Sequence, residues 1–239
     1  MMTTSQVQRQ PVPPASDAAD ESRLRLAGSR LRHFHVCAFF NSREEEHQVL
    51  GSFYRDGVRL GERNLHLVES GSMVAHRGHL AAGGMDVPGC EACGQLVMMP
   101  WHHAYLDDAG VFDRQRVLTL IEQVTREASA PGSVPVRVMG QMDWIVQPGV
   151  DRSEVIAYEA EVNEVLSRHQ QPAICVYDIA TLDGAMMMDL LRTHPLTLIG
   201  GALRENPFYT PPAQMLRELA ARRGGGAEAG AASVRLTMT

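Results

Sequence analysis

Polar or aromatic side chains directly follow three apolar segments of this 239-residue chain. The segments are HVCAFF, VRVMGQM and PAICVY, and the residues after them are Asn41, Ser42, Arg43, Asp143, Trp144 and Asp178. If the segments are parallel strands, their carboxyl ends share one edge of a sheet, where open α/β sheets bind ligands. The sequence therefore predicts a crevice between these loops that binds a small organic ligand.

Glu159 is a further candidate for the ligand site. It shares a helical stripe with Val155, Val162 and Leu166, at a spacing that faces a core. A carboxylate on a buried face must be hydrogen-bonded or have a raised pKa, because desolvation disfavours its charge. Two roles stay open: Glu159 either fixes a neighbouring loop or contacts the ligand.

Three more residues are candidates for the same site, and His194 would enter it from the far edge of the sheet. Cys175 and Tyr177 belong to a presumed central strand, and Tyr177, like Trp144, could supply an apolar wall with a polar tip. His194 stands between a helix and an apolar strand. Its ring either bonds a helix-end carbonyl or enters the site, and the sequence does not separate the two.

A metal site is the alternative reading of the segment CEAC. Two thiolates, Cys90 and Cys93, and two imidazoles, His102 and His103, are suitable zinc ligands. Their spacing fits no common zinc motif, so we predict no metal there. The methionine run 186–188, with Cys and His, would suit copper(I), although methionine in helices usually fills cores.

The common enzyme and nucleotide signatures are missing. All 22 basic residues are arginine, which excludes a P-loop lysine and a Schiff-base lysine within this chain. No G-x-S-x-G elbow or G-x-G-x-x-G turn follows a strand. We therefore predict a binding domain without catalytic residues or cofactor. An enzyme using Cys37, Cys175 or His35, and a non-hydrolysing nucleotide binder using Arg43, stay as alternatives.

The elements that would position these residues alternate between short apolar runs and helical patterns. The expected strands are HFHVCAFF, RNLHLVE, QLVMMP, VPVRVMGQM, PAICVYD and LTLIGG, each followed by a helix, at 43–60, 72–83, 113–127, 153–168, 181–192 and 211–222. This alternation predicts a mainly parallel sheet with helices on both faces. Ser42 with Glu45, and Asp151 with Glu154, have capping-box spacing, and Gly61 is placed to end the first helix.

Composition limits the class of protein further. The net charge of −6 and a pI near 5.9 argue against direct nucleic-acid binding. No apolar run is long enough for a membrane span or signal peptide, and four scattered cysteines do not make a disulfide framework. We predict a cytoplasmic protein with polar, disordered tails at 1–30 and 223–239 and one folded domain at 31–222.

Most of the folded segment resembles the MEDS family, the methanogen/methylotroph, DcmR sensory domain. The resemblance rests on blocks such as HVCAFFNSREEEHQVLGSFYRDGVRLGERNLHLVE, GQLVMMPWHHAYL, VRVMGQMDWIV and GVDRSEVIAYEAEVNEVL, and it runs from about His33 to Leu219. The family-typical positions matched here are His35, Phe39, Glu45, Tyr105, Trp144, Glu159, Cys175, Tyr177, Asp178, His194 and Pro195.

The resemblance implies a sensory domain for small molecules such as hydrocarbon derivatives, with a RecA/KaiC-like fold whose P-loop has decayed. Family members are usually joined to DNA-binding or kinase modules, and no such module is recognisable here. We therefore expect a partner protein to receive the signal from this domain. A homo-oligomer of the chain is a second expected assembly. CEAC is not part of the family pattern.

Overall fold

A computed structural model describes residues 25–223 of the chain. Their main feature is a seven-stranded sheet of order β5-β4-β6-β7-β3-β8-β9, parallel except for β9, which pairs antiparallel with β8. A separate two-stranded antiparallel hairpin, β1-β2, precedes it. The predicted α/β class with a mainly parallel sheet is confirmed.

The strands are β1 (Arg25–Leu26), β2 (Ser29–Arg30), β3 (His35–Phe40), β4 (Arg63–Val68), β5 (Leu96–Pro100), β6 (Val136–Gln141), β7 (Ala173–Asp178), β8 (Leu196–Ile199) and β9 (Ala202–Glu205). The helices are α1 (Arg43–Arg59), α2 (Met73–Ala82), α3 (Val87–Ala92), α4 (Trp101–Tyr105), α5 (Arg114–Ser129), α6 (Arg152–His169), α7 (Gly184–Thr193) and α8 (212–223). Short 3-10 turns follow β4, β6 and β7.

Two hydrophobic cores lie on opposite faces of the sheet. On the front face, α4 to α8 pack against Cys37, Val138 and Cys175. On the back face, α1 to α3 pack against Ala38, Met139 and Val176. Because the two faces of the sheet are both covered and neighbouring side chains of a strand point to opposite faces, β3 and β6 are buried along their full length, including the polar Arg137 and Gln141 of β6.

The chain changes face between two neighbouring strands. β3 pairs with β7, and β3 leads into α1 on the back face whereas β7 leads into α7 on the front face. The loops therefore diverge at the carboxyl ends of β3 and β7, which opens a crevice between them.

The helix caps largely agree with the sequence. Ser42 accepts a hydrogen bond from the backbone N–H of Glu45 (3.2 Å), and Gly61 follows α1 with a φ of +76°. Asp151 accepts from the N–H groups of Ser153 and Glu154. The carboxylate of Glu154 does not return to its cap; it pairs with Arg114 and Arg223.

Five short elements lie outside the predicted pattern. The helices α3 and α4 have six and five residues, too few for a periodicity signal, and β9 is a four-residue edge strand. The hairpin β1-β2 lies within the segment predicted to be a disordered tail, and its Leu26 is buried in the back core. The rest of the predicted tails, 1–24 and 224–239, lies outside the described residues. Among the residues of 25–223, no helix is long and apolar enough to cross a membrane.

Gly140 of β6 is required by its neighbour Tyr105. A Cβ at position 140 would lie 2.5 Å from the Tyr105 hydroxyl oxygen, and Tyr105 is itself buried. We expect Gly140→Ala to lower the free energy of unfolding by about 1–3 kcal/mol, which is the usual cost of overpacking. Urea titration measures this loss. Gly184→Ala is the control, because a Cβ there meets nothing within 4 Å. Equal stability of the two variants would contradict the assignment.

Candidate functional site

A narrow crevice lies at the carboxyl ends of β3 and β7. It is lined by Phe40, Ser42, Arg43, Val176, Tyr177 and Asp178, and its volume is about 20 Å³, room for about one water molecule. Of the predicted ligand residues, Ser42, Arg43, Tyr177 and Asp178 are therefore brought together. Asp143 accepts a hydrogen bond from Arg43 and so lies beside these residues. Asn41 and Trp144 do not line the crevice in the described structure.

Arg43 connects the loops after β3 and β6. One guanidinium nitrogen donates to Glu46 (2.7 Å) and another donates to Asp143. Burial raises the pKa of both carboxyls, and the charge of Arg43 opposes that rise. With Asp178 nearby, one cation thus faces three carboxyl groups, so this edge of the sheet favours a positive or hydrogen-bond-donating group.

The N-terminus of α1 is occupied by its own side chain. The Glu45 carboxylate accepts from the backbone N–H of Asn41 (2.8 Å) and from the Asn41 amide (3.0 Å). The backbone hydrogen bond is the main reason that the pKa of Glu45 is lowered. The place where a helix N-terminus would hold a phosphate therefore carries a carboxylate, with Glu44 and Glu46 in the same turn.

Trp144 is a core residue in this structure. Its side chain is completely buried in the front core, and its ring lies 4.7 Å from Tyr105 and 4.9 Å from Phe112, centroid to centroid. Asp143, one residue earlier, remains at the edge of the sheet. The adjacent residues thus point into different environments, which a strand-to-loop pattern cannot reveal.

A second, buried cluster lies towards the amino ends of β3 and β8 and in the middle of β7. We call it the tetrad: His35, Glu159, Cys175 and His194. One ligand-type atom of each lies within 4.8 Å of the others, and all four residues are at most 4% exposed. The predicted core-facing stripe of Glu159 is confirmed. The sequence nominated Glu159, Cys175 and His194 but placed His35 only among the alternatives.

Hydrogen bonds hold each member of the tetrad in place. Tyr177 donates its hydroxyl to Glu159 Oε1 (2.8 Å), so Tyr177 touches both the crevice and the tetrad. His194 Nδ1 bonds the carbonyl of Leu190 (2.8 Å) and His35 Nδ1 bonds Asn163 Oδ1 (3.2 Å). His194 thus makes the helix-end contact that the sequence left open, and it lies in the tetrad and not among the residues that line the crevice.

Burial sets the protonation of the tetrad. Desolvation, then the neighbouring His194, lowers the pKa of His35 to about 4, so this ring is neutral at pH 7. Burial, then the charge of Glu159, raises the pKa of the Cys175 thiol well above its usual range. Burial alone would raise the pKa of Glu159, but the contacts with His194 and His35 outweigh it and bring that pKa to about 2.

Comparison with known proteins finds a family model that matches most of these elements. The family model described as MEDS, MEthanogen/methylotroph, DcmR Sensory domain, matches residues 34–195, which is more than half of the chain. The chain belongs to the MEDS family. All four tetrad residues and every crevice residue lie within the matched range of the MEDS domain, whereas β8, β9 and α8 follow it.

A curated relative of this MEDS domain is a regulator. The transcriptional repressor DcmR of Methylorubrum extorquens (strain DSM 6343 / CIP 106787 / DM4) is 28% identical over 100 residues, which cover 39% of this chain and 37% of the repressor. The chain thus spans much less than two thirds of the relative's length. The family and this relative together support a sensory and regulatory role in signal transduction and transcription regulation.

A second group of histidines lies on the back face of the MEDS domain. His66 Nδ1 and His76 Nε2 are 2.8 Å apart, and the ring of His47 lies 4.8 Å from that of His76. Glu46, His47 and His76 are close enough to share an ion. We assign none, because the Glu46 carboxylate is already paired with Arg43. The sequence carries no spacing signal for this group.

The CEAC segment does not form such a cluster. Cys90 is buried on α3, and the exposed Cys93 has its thiol near the Cys90 carbonyl and Gln95. His102 contacts Ser70 instead. Among the described residues, the groups able to hold an ion are the tetrad and the Glu46 group, so the zinc alternative for Cys90, Cys93, His102 and His103 gains no support.

Proposed function

We propose that this MEDS domain binds a small organic molecule in the crevice and passes its occupancy to a protein partner. The observation that carries the proposal is the convergence of the loops after β3, β6 and β7 on Arg43 and Asp178, at the point where the sheet connections change face. Open α/β sheets bind ligands at such points, and the family is a sensory one.

The size and charge of the crevice limit the ligand class. A space of about 20 Å³ holds about one water molecule, so the ligand must be very small and the loops must separate to admit it; Phe40 and Tyr177 line the space beside carboxyl groups. These features favour a small hydrocarbon derivative with a hydrogen-bond donor or a positive charge, such as a short alcohol or amine. The ligand is expected to donate to Asp178.

A nucleotide is a poorer fit for the same edge. We propose that the scaffold is a RecA/KaiC-like one with a degenerate P-loop, in a non-enzymatic, cytoplasmic sensor. The support is the Glu45 carboxylate, which holds the Asn41 N–H at the N-terminus of α1, together with the absence of lysine from the chain. Both features oppose phosphate binding.

Ligand binding is tested first by native mass spectrometry of gently purified protein, then by thermal shift and calorimetry with short alcohols, methylamines and halomethanes. For any alcohol or amine that binds, we expect Asp178→Asn to weaken affinity by about tenfold or more, because a hydrogen bond to a charged group contributes roughly 1.5–3 kcal/mol. Size-exclusion measurements of the same samples report changes in assembly.

Asp183→Asn is the matched control for Asp178→Asn. Both aspartates accept a backbone N–H just after β7, from Ala180 and Met186 respectively, but Asp183 does not line the crevice. We expect the control to bind like the wild type. Binding that is unchanged in Asp178→Asn, or no small molecule bound in any assay, would contradict the proposed ligand site.

A further inference from the structure

The tetrad brings four good metal ligands from four separate segments to one point. His35 begins β3, Glu159 lies in the middle of α6, Cys175 is in β7, and His194 follows α7. Their distances in sequence are long, so only the sheet order places them together. The donor set is two imidazole nitrogens, one sulfur and one carboxylate oxygen.

Four of the six distances between the donor atoms are close to the edges of a tetrahedral zinc site. Bond lengths of about 2.0–2.2 Å to nitrogen and oxygen and about 2.3 Å to sulfur give edges of roughly 3.3 Å between nitrogen and oxygen and roughly 3.6 Å from sulfur. Glu159 Oε2 lies 3.3 Å from His35 Nε2, 3.4 Å from His194 Nε2 and 3.7 Å from Cys175 Sγ. His35 Nε2 lies 3.3 Å from Cys175 Sγ.

The outer hydrogen bonds aim both imidazoles at the centre. The Leu190 carbonyl can only accept, so Nδ1 of His194 donates to it and Nε2 is the ring nitrogen left to bind an ion. Asn163 uses its amide nitrogen on three backbone carbonyls, so its oxygen accepts from Nδ1 of His35. The Nε2 lone pair of His35 therefore also faces inward, as in histidines that bind metals.

Without an ion, the centre of the tetrad contains a buried atom that lacks a hydrogen bond. His194 Nε2 has no hydrogen-bond partner among the described residues. A buried polar atom without a partner is costly. The contacts of 3.3–3.4 Å to Glu159 are also longer than charge-assisted hydrogen bonds, which are about 2.7–2.9 Å.

We propose that the tetrad binds one Zn²⁺ ion in a closed, tetrahedral site of the structural type. The ion displaces the thiol proton of Cys175 to solvent, so thiolate and carboxylate together balance its two positive charges. Glu159 binds through Oε2 while Oε1 keeps the hydrogen bond from Tyr177. The ion joins β3, α6, β7 and the α7–β8 connection. This site is independent of the ligand proposed for the crevice.

Metal content tests the site directly. All four donors are buried, so the ion has to be offered while the protein folds. The protein is therefore refolded from urea with and without Zn²⁺ and then desalted. Its zinc content is measured by native mass spectrometry and elemental analysis. We expect one zinc per wild-type chain and a higher thermal midpoint for the loaded protein. Cys175→Ser should lower the bound zinc by about tenfold or more.

Two matched variants separate this site from other thiols and from simple misfolding. Cys90→Ser/Cys93→Ser removes the CEAC thiols and is expected to keep the zinc. Tyr177→Phe keeps the ring and removes only the hydroxyl that orients Glu159, so zinc affinity should fall by about tenfold without loss of the fold. Retention of zinc in Cys175→Ser, or its loss with the CEAC thiols, would overturn the proposal.

Cobalt gives a readout that does not depend on any variant. In wild-type protein refolded with Co²⁺, we expect the intense visible bands of a tetrahedral ion and a thiolate-to-metal charge-transfer band in the near ultraviolet, both retained in Cys90→Ser/Cys93→Ser. A weak octahedral spectrum without the charge-transfer band, or wild-type protein free of zinc after refolding, would show that the tetrad is only a hydrogen-bonded core network.

Discussion

Replacing Arg137 with methionine is expected to lower the free energy of unfolding by about 3–5 kcal/mol, the usual cost of removing one partner from a buried ion pair. Arg137 of β6 is 1% exposed. Its Nε donates to Glu62 (2.5 Å), NH1 donates to the Phe53 carbonyl (2.7 Å), and its guanidinium lies 4.4 Å from the centre of the Phe53 ring. The substitution leaves the buried Glu62 carboxylate without this cation.

Urea unfolding of three variants tests the expectation for Arg137. Adding Glu62→Gln to Arg137→Met removes the buried charge, so the double variant should recover part of the loss. Arg168→Met is the surface control: Arg168 pairs with Glu122 while 59% exposed, and exposed pairs contribute only about 0–1 kcal/mol. A loss at Arg137 no larger than that at Arg168 would contradict the role of the buried pair.

Acid is expected to destabilise the protein through His66 and His76. Desolvation, then the charge of His47, lowers the pKa of His66 to about 3. Desolvation, then His66, His47, Arg43 and His79, lowers that of His76 to about 2. Both pKa values are below the unfolded value of about 6.5, so the unfolded chain binds more protons. The stability from these neutral rings is complete above about pH 6.5 and is lost as the pH falls.

The size of the acid effect follows from the linkage relation. Each histidine contributes about 1.4 kcal/mol for every pH unit below about 6.5, so the pair should account for roughly 4 kcal/mol of lost stability at about pH 5. Urea titrations at about pH 7 and pH 5 measure the loss. The variant His66→Leu/His76→Leu replaces both hydrogen-bonded histidines with apolar side chains. Most of the roughly 4 kcal/mol that the pair contributes should therefore be absent from its loss of stability between about pH 7 and pH 5.

Tyr54→Phe is the matched control for the histidine pair. Tyr54 packs on His66 with ring centres 4.4 Å apart, so the variant perturbs the same part of the back core without removing a histidine. It should keep the wild-type dependence on pH. An equal loss between pH 7 and pH 5 in the wild type and the double leucine variant would contradict the prediction, as would NMR signals showing protonated His66 and His76 at about pH 5.

Local patterns were sufficient for much of the scaffold. The alternation of apolar runs and helical periods predicted the strands β3 to β8 and the long helices, because those signals depend on residues close in sequence. Ser42, Asp151 and Gly61 marked helix ends for the same reason. The stripe through Val155, Glu159 and Leu166 correctly placed a carboxylate in the core, since helical spacing alone decides which side chains share a face.

The sequence by itself determined the class of fold, the family and the loops at the carboxyl edge. Only the tertiary structure decided that His35 joins Glu159, Cys175 and His194, and that Trp144 is core while Asp143 is not. The physical reason is strand order: β3 lies between β7 and β8, and this order depends on how whole helices cover the two faces. No local spacing encodes that choice, so the residues of the tetrad become neighbours only after the sheet has formed.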